Sequence, residues 1–277
     1  MLNLDLKIDS TVKLHNGVEM PIFGLGTWAL KGENCIQAIS WAIEMGYRLI
    51  DTAALYGNEE EIGKAIEDSK IPRENLFITS KVWNSDQGYE NTLKAFEKSL
   101  NRLKLSYLDL YLIHWPVSGL RNDTWRALEK IYESSRVKAI GISNFTIRHI
   151  DELLSMTSIT PMVNQVEFSP FLYQKKLLEY CSSKNIQLEA YSPLTRGRRF
   201  NNSVLESLGL KYNKSVPQIL IKWGLQHKIV EIPKSGNKQH LKENADVFDF
   251  ELVTSDMDQI DGLNEDLRIV DDPNQYK

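Results

Sequence analysis

The sequence predicts an α/β protein, a (β/α)8 or TIM barrel with an N-terminal β-hairpin that closes the bottom of the barrel. Short apolar segments alternate with amphipathic segments along the 277 residues, and strands that alternate with helices form parallel sheets. Counted from Phe23, eight apolar segments are each followed by a helical pattern. Eight such units are the number that a closed barrel requires.

The first element is a hairpin centred on Asn16 and Gly17. Apolar and polar residues alternate on both sides of this pair, and Asn-Gly favours a tight turn because both turn residues must accept a positive φ. The eight strands of the barrel follow the hairpin in chain order. They are predicted at residues 21–28, 47–50, 76–80, 107–113, 137–142, 162–166, 186–190 and 228–232.

The segments between these strands have apolar residues at helical spacing. The clearest pattern consists of Leu93, Phe96, Leu100 and Leu103, which recur on one face of a helix. After the second strand, Asn58 is placed to cap a helix and Glu61 to complete a capping box. No low-complexity linker interrupts the alternation, so we expect residues 1–277 to form a single domain.

The main alternative fold is a doubly wound open sheet of the Rossmann type. Gly24-Leu25-Gly26 lacks the third glycine of a dinucleotide-binding fingerprint. The alternation of strands and helices also continues without a region where the strand order would switch. Both observations favour the barrel.

The composition argues against several classes of protein. The net charge of −4 gives no overall field that would attract nucleic acid or an anionic membrane. No apolar run is long enough to span a membrane, and charges interrupt residues 1–7, so we expect no signal sequence. Cys35 and Cys181 lie in helical patterns, which suits two buried free thiols in a cytoplasmic protein.

Polar residues stand at the predicted carboxyl ends of the strands, which meet at one mouth of a barrel. Catalytic groups gather at this mouth in barrel enzymes. The residues are Asp51, Lys81, His114, Ser143, Asn144, Gln165, Tyr191, Ser192, Lys234 and Ser235. Tyr56 lies on the loop after Asp51. Such a convergence predicts an active site rather than a polar surface.

Five motifs occur at these ends in a specific order: residues 51–59 (DTAALYGNE), 113–116 (IHWP), 141–145 (GISNF), 164–167 (NQVE) and 232–235 (IPKS). In these motifs, and over essentially its whole length, the chain resembles the aldo-keto reductase family. Its compact length is most similar to the prokaryotic diketogluconate reductase and aldehyde reductase type. The resemblance implies NADPH-dependent reduction of aldehydes and ketones to alcohols by hydride transfer.

The resemblance places the catalytic tetrad of the family on Asp51, Tyr56, Lys81 and His114. Carbonyl reduction builds negative charge on oxygen, and Tyr56 would supply the proton. Because free tyrosine has a pKa of about 10, we expect the Lys81 ammonium to lower the pKa of Tyr56 and Asp51 to hold Lys81. A neutral His114 would orient the substrate oxygen. Taken singly, the alternatives are a structural ion pair, a packing tyrosine and a core histidine.

The resemblance also implies a cofactor site. Ser143, Asn144 and Gln165 would bond the nicotinamide carboxamide, and Tyr191 would stack on the ring; the alternative is that they are polar caps on strands. Lys234 and Ser235 precede a helix, whose N-terminus suits the adenosine 2′-phosphate. The full predicted set is Gly26, Thr27, Asp51, Ser143, Asn144, Gln165, Tyr191, Ser192, Leu194, Ile232, Lys234, Ser235, His240, Glu243 and Asn244.

His240 departs from the family pattern, which usually has an arginine at this position. Arginine presents a fixed and permanently charged fork to a phosphate, whereas histidine is largely neutral at neutral pH. Lys238 either compensates or is a solvated surface charge. We therefore expect NADPH to be preferred, NADH to bind more weakly, and discrimination between the two to be weaker than in relatives.

Aromatic residues are predicted to line the substrate site, consisting of Trp28, Tyr56, Trp83, His114 and Trp115. Such a wall is typical of pockets that accept varied aldehydes, and packing at the rim is the alternative. The loop 117–123 and the tail 269–277 are short and polar, so we expect an open mouth. The basic stretch 196–199 would clamp the cofactor pyrophosphate, attract acidic substrates or be solvated.

Two other functions remain open at this point. One is a non-catalytic NADP(H)-binding sensor or regulatory subunit on the same fold. The other is a different barrel enzyme, such as a sugar-phosphate isomerase, which would not require the tetrad. For the reductase we expect a monomer without a metal, whose partner is a small-molecule carbonyl substrate and neither nucleic acid nor membrane.

Overall fold

A hairpin opens the part of the chain that the computed structural model describes, residues 6–276. It pairs β1 (Thr11–Lys13) with β2 (Glu19–Pro21) in antiparallel orientation. The predicted hairpin is therefore confirmed, but its turn is wider than two residues, and only Gly17 of the predicted pair has a positive φ, of 91°. Residues 1–5 and 277 lie outside the described residues. The predictions for segment 1–7 and for the last residue of the tail 269–277 therefore fall largely or wholly outside them.

Eight parallel strands form the central sheet, and each pairs with the next. They are β3 (Gly24–Gly26), β4 (Leu49–Asp51), β5 (Phe77–Val82), β6 (Leu108–Ile113), β7 (Val137–Ser143), β8 (Val163–Glu167), β9 (Gln187–Tyr191) and β10 (Val230–Glu231). Phe23 bridges to Glu231 and Gly26 bridges to Lys234. These bridges bring the first and last strands of the sheet together, so the predicted barrel is confirmed.

The hairpin lies across the amino ends of the strands. The Asn16 side chain donates to the carbonyl of Lys138 in β7 at 2.9 Å. His15 hydrogen-bonds the carbonyl of Thr160, three residues before β8, at 3.2 Å. Leu14 is buried beneath them. The hairpin therefore closes the bottom of the barrel, as predicted, and leaves the opposite mouth free.

Ten helices lie in the described part of the chain, and none of them is both long and apolar enough to cross a membrane. They are α1 (Gly32–Glu44), α2 (Glu59–Ser69), α3 (Tyr89–Leu103), α4 (Arg121–Glu133), α5 (Ile147–Leu154), α6 (Lys175–Ser183), α7 (Ser203–Tyr212), α8 (Val216–Gln226), α9 (Lys238–Ala245) and α10 (Thr254–Asp261). In α3 the predicted face is buried at Phe96, Leu100 and Leu103. The last helix, α10, had no clear counterpart in the sequence patterns.

Asn58 precedes α2 but does not cap it through its side chain. Its amide oxygen accepts from the Thr52 hydroxyl at 2.7 Å, and its amide nitrogen donates to two carbonyls of the loop after β3. Glu61 instead accepts from the backbone N–H of Gly32 at 3.1 Å. The predicted capping box is therefore wrong, because the fully buried Asn58 joins the loops that follow β3 and β4.

Both cysteines are buried free thiols, as predicted. Burial raises the pKa of Cys35 to about 12 and that of Cys181 to about 11. Since the thiolate is the reactive form, neither thiol is suited to chemistry at neutral pH.

Glu231 of β10 is a buried carboxyl group on the outer face of the sheet. It lies against Gly224 of α8, where an added Cβ would meet the Glu231 carboxyl oxygen at 1.6 Å. Its Oε2 has no hydrogen-bond partner within residues 6–276. Burial raises the pKa of Glu231 well above its usual value, so folding favours the protonated acid.

We expect Glu231→Gln to raise the free energy of unfolding at about pH 8 by more than about 1.4 kcal/mol, the equivalent of one pKa unit. The folded pKa lies above the unfolded value, so the stabilisation by the protonated acid is complete below about pH 4 and is lost as the pH rises. Glutamine has the same shape without the charge. Urea unfolding at about pH 4 and about pH 8 measures this, and an equal gain at both pH values would contradict it.

Candidate active site

Asp51 and Lys81 form a buried ion pair at the mouth of the barrel. Asp51 ends β4 and Lys81 lies in β5, with side chains that are 3% and 0% exposed. The Lys81 Nζ lies 2.7 Å from each Asp51 carboxylate oxygen and donates to the Thr52 carbonyl at 2.9 Å. Burial raises the pKa of Asp51, and the ammonium opposes this shift. The predicted positioning of Lys81 by Asp51 has the contacts it needs.

Tyr56 lies on a single 3-10 turn, Ala54–Tyr56, between β4 and α2. The Lys81 Nζ lies 5.1 Å from the centre of its ring. The ring centres of Trp28 and His114 lie 5.0 and 5.7 Å from it. The fold therefore brings the four predicted tetrad residues to one place, although they are far apart in the sequence.

The predicted effect of Lys81 on the acidity of Tyr56 is wrong in this structure. Burial, and then the charges of Asp51 and Glu189, raise the pKa of Tyr56 well above its usual value. Both oxygens of Asp51 accept from the ammonium of Lys81, so the carboxylate offsets part of the positive field of Lys81 at the neutral phenol. Tyr56 therefore keeps its proton at neutral pH.

His114 follows β6 and is 7% exposed. Burial, and then the charge of Lys81, lower the pKa of His114 well below its usual value, in agreement with the predicted neutral ring. Its Nδ1 has no hydrogen-bond partner among the described residues. Its ring centre lies 5.1 Å from that of Trp83. A neutral imidazole carries one N–H donor and one acceptor nitrogen, so it can donate a hydrogen bond to a bound molecule.

Three of the predicted nicotinamide-binding residues are linked to one another. The Tyr191 hydroxyl donates to Asn144 Oδ1 at 2.7 Å, and Asn144 Nδ2 donates to the Ser143 hydroxyl at 3.2 Å. Asn144 adopts a left-handed conformation with φ of 65°. Gln165, on the next strand, donates to Asp51 Oδ2 at 2.8 Å. The predicted cofactor set therefore borders the tetrad directly.

Other predicted cofactor residues also have structural roles. Gly26 is needed where β3 approaches β10, because an added Cβ would lie 2.7 Å from the Ile232 carbonyl oxygen. The buried Thr27 hydroxyl donates to the Asp51 carbonyl at 2.8 Å. Ser192 and Leu194 follow β9 and are half-buried.

The predicted phosphate pocket lies where the chain enters α9. Asn237 caps this helix, and its side chain accepts from the backbone N–H of His240 at 3.1 Å. The side chains of Lys234 and His240 are exposed. Lys238 lies over the ring of Trp41, 5.6 Å from its centre, and so packs toward α1. Three further predicted residues lie at or in this helix: Ser235, Glu243 and Asn244.

The C-terminal tail borders the mouth, which is therefore less open than the sequence predicted. The ring of Tyr276 lies 5.5 Å from that of Trp115, and the Tyr276 carbonyl accepts from His149 Nε2 at 2.6 Å. Glu167 of β8 accepts from the backbone N–H of Ile269 at 2.7 Å. Tyr276 was missed because nothing in a short polar tail indicates where it packs.

Glu189 is a second residue that the sequence analysis missed. It lies two positions before Tyr191 in β9 and is fully buried. Gln165 Nε2 donates to its Oε2 at 2.8 Å. The available signal was a single charged residue within an apolar strand, on the same face as Tyr191.

The basic stretch 196–199 is partly engaged within the chain. Arg199 forms an ion pair with Glu265, with Nε 2.7 Å from Oε1. Arg196 adopts a left-handed conformation with φ of 52°. The ion pair thus links the loop after β9 to the segment between α10 and the tail.

Comparisons with known proteins agree with this geometry. Residues 23–265 match the family model described as the Aldo/keto reductase family. Glyoxal reductase of Bacillus subtilis (strain 168) is 56% identical, over 97% of this chain and 98% of the relative. The 9,11-endoperoxide prostaglandin H2 reductase of Trypanosoma cruzi is 52% identical, over 96% of this chain and 95% of the relative.

Solved structures are similar over the same length. An aldo-keto reductase enzyme from a Medee basin deep-sea metagenome library matches with a TM-score of 0.93 and 48% identity, covering 95% of this chain and 98% of the other. A Bombyx mori aldo-keto reductase in complex with NADP matches with a TM-score of 0.90 and 36% identity, covering 94% of each chain.

Proposed function

Because the chain belongs to the aldo/keto reductase family, we propose that it reduces aldehydes and ketones to alcohols with NADPH and that Tyr56 is the proton donor. One observation carries this proposal: a protonated phenol, a neutral imidazole and a buried ion pair meet at one mouth of the barrel. The ring centres of Tyr56 and His114 are 5.7 Å apart, so both side chains can reach one carbonyl oxygen.

In the proposed reaction the cofactor supplies the hydride and the chain supplies the proton. When bound, NADPH supplies the hydride that reduces the carbonyl carbon. As negative charge grows on the carbonyl oxygen, the phenol of Tyr56 donates its proton to it. An alkoxide is about as basic as hydroxide, whose conjugate acid has a pKa of about 15.7. The transfer is therefore favourable even from a phenol with a raised pKa.

The other tetrad residues act around this proton transfer. The neutral His114 donates a hydrogen bond to the carbonyl oxygen and orients it. The Asp51–Lys81 pair keeps an ammonium 5.1 Å from the centre of the phenol ring, where it stabilises the negative charge that the proton leaves behind. A bidentate contact with Asp51 fixes the ammonium in that position.

The chemistry of the predicted cofactor residues fits a nicotinamide. A carboxamide needs both donors and acceptors, and the amides and hydroxyl of Ser143, Asn144 and Gln165 provide both. The Tyr191 hydroxyl is fixed by Asn144, which leaves a ring of set orientation for stacking. Lys234 and the N-terminus of α9 would hold the 2′-phosphate.

The test is the loss of NADPH absorbance with a panel of carbonyl compounds. Glyoxal belongs in the panel because a relative is named glyoxal reductase, beside an aliphatic aldehyde, an aromatic aldehyde and a ketone. We expect turnover of several aldehydes. Tight binding of NADPH without turnover of any carbonyl would favour a cofactor sensor, and activity on a sugar phosphate without nicotinamide would favour an isomerase.

We expect NADPH to be preferred over NADH. His240 is exposed in the first turn of α9, where the 2′-phosphate would lie, and an arginine there would present a permanently charged fork to the phosphate. The measurement is the ratio of kcat/KM for the two cofactors. His240→Arg should raise the ratio about tenfold at about pH 8, since one charged hydrogen bond contributes about 1.5 kcal/mol. A preference for NADH in the wild type, or an unchanged ratio in His240→Arg, would refute this expectation.

A further inference from the structure

A second carboxyl group, Glu189, lies beneath the Asp51–Lys81 pair inside the barrel. It has no exposed surface, and its side chain is on the inner face of β9, which Tyr191 shares. Oε2 accepts from Gln165 Nε2 at 2.8 Å. Oε1 has no hydrogen-bond partner in the part of the chain that the structure describes.

Two carboxyl groups, Asp51 and Glu189, lie beside a single cation, the Lys81 ammonium. The Lys81 ammonium is held by both oxygens of Asp51 and by the Thr52 carbonyl, so none of its hydrogens is left for Glu189. Burial, and then the charge of Asp51, raise the pKa of Glu189 to about 8. Glu189 is therefore mostly a neutral acid at neutral pH.

This arrangement fixes the orientation of the Gln165 amide. Its Nε2 lies 2.8 Å from both Asp51 Oδ2 and Glu189 Oε2, which uses both of its hydrogens. The flipped amide would place its oxygen against the Asp51 carboxylate, which cannot donate a hydrogen bond. Gln165 therefore has only its carbonyl oxygen to offer a bound molecule, and it must accept from the amide –NH2 of a carboxamide.

We propose that Glu189 is a positioning residue that acts through Gln165: as a neutral acid it holds the amide oxygen toward the cofactor, and on losing its proton it favours the oxidised, cationic nicotinamide over the reduced, neutral one. This inference rests on the proposed function, because it requires a nicotinamide at the mouth of the barrel. Its consequence is that rising pH tightens the binding of NADP+ relative to that of NADPH, in addition to the effect of the proton that carbonyl reduction itself consumes.

The other groups that face Glu189 do not account for such a shift. Both oxygens of Asp51 accept from the Lys81 ammonium, which favours the ionised form of Asp51. Tyr56 keeps its proton because its pKa is raised, and Gln165 does not titrate. On the neighbouring strand β10, Glu189 is paired with the apolar Val230. Glu189 is thus the group in this cluster that loses a proton just above neutral pH.

The test measures the dissociation constants of NADPH and NADP+ by quenching of tryptophan fluorescence, without a carbonyl substrate, from about pH 6 to about pH 9.5. Both forms carry the same 2′-phosphate, so groups in that pocket cancel from the ratio of the two constants. In the wild type we expect relative binding of NADP+ to rise about tenfold, which is one pKa unit of coupling, with a midpoint at about pH 8. In Glu189→Gln we expect a ratio that does not change with pH.

Glu231→Gln is the matched control, because it makes the same substitution at a buried carboxyl group on the outer face of the neighbouring strand. It should leave the pH dependence of the ratio as in the wild type. A flat ratio in the wild type, or a pH dependence that survives in Glu189→Gln, would overturn the proposal. The wild-type titration decides the matter even if Glu189→Gln does not fold. If the wild type binds neither NADPH nor NADP+, the proposed function itself fails. If it binds both but the ratio does not depend on pH, only the proposal for Glu189 fails.

Discussion

Tyr56→Phe is expected to lower kcat for carbonyl reduction by about 10²–10⁴-fold, the usual contribution of a general acid. The substitution removes the proton donor and retains the ring, whose contacts with Trp28 and His114 hold the turn in place. We therefore expect NADPH to bind almost as tightly as in the wild type. Steady-state kinetics with an aldehyde and a fluorescence titration with NADPH measure the two quantities separately.

Tyr111→Phe is the control for the loss of a buried hydroxyl. Tyr111 lies in β6, and its ring packs against Phe96 of α3, with ring centres 5.0 Å apart. Its side chain packs toward α3 and takes part in no proposed proton transfer, so kcat of Tyr111→Phe should remain near that of the wild type. Undiminished turnover in Tyr56→Phe would show that another group supplies the proton.

Lys81→Met is expected to abolish reduction and to lower the free energy of unfolding by about 3–5 kcal/mol at about pH 8. Methionine replaces the volume of the side chain but leaves the buried Asp51 without its cation. The carboxyl can then relieve the penalty only by taking up a proton, so its folded pKa would rise further above the unfolded value. The destabilisation should therefore shrink as the pH falls to about 5.

The double variant Asp51→Asn with Lys81→Met separates stability from catalysis. Removing both charges should recover most of the lost unfolding free energy at about pH 8, because position 51 no longer carries a buried carboxylate without its cation. It should not recover kcat, since the ammonium beside the phenol is still missing. Urea unfolding followed by tryptophan fluorescence gives the comparison. A loss in Lys81→Met that does not vary with pH would argue against an ion pair in the folded protein.

The barrel and the polar residues at its mouth could be predicted because their signals are local, whereas the assignment of the tetrad rests on the resemblance to the family. Each strand and helix carries its own pattern of apolar residues, as α3 does at Phe96 and Leu100. Asp51 and His114 each stand directly at the end of an apolar run, so the topology alone brings them to one mouth. No contact between distant residues has to be known for either prediction.

The predictions that failed depend on partners far away in the sequence. Asn58 has the local pattern of a helix cap, but it bonds groups of another loop instead. The pKa of Tyr56 is set in part by Glu189, which lies far along the chain in β9. Tyr276 reaches Trp115 only because the tail crosses the mouth. In each case a tertiary contact determines the conformation or the pKa of the residue, and the local sequence pattern does not show that contact.

The junction between β3 and β10 has a consequence for the kinetics of folding. The bridge between Phe23 and Glu231 joins residues that are separated by most of the described chain, and contacts of such sequence separation form slowly because the loop between them must first be closed. The expected folding intermediate is an open curved sheet whose first and last strands have unpaired edges. Predicted cofactor residues lie on both sides of this junction, at Gly26 and at Lys234. A ligand that joins both sides should slow the reopening of the barrel and protect the backbone amides of Gly26 and Glu231 from hydrogen exchange.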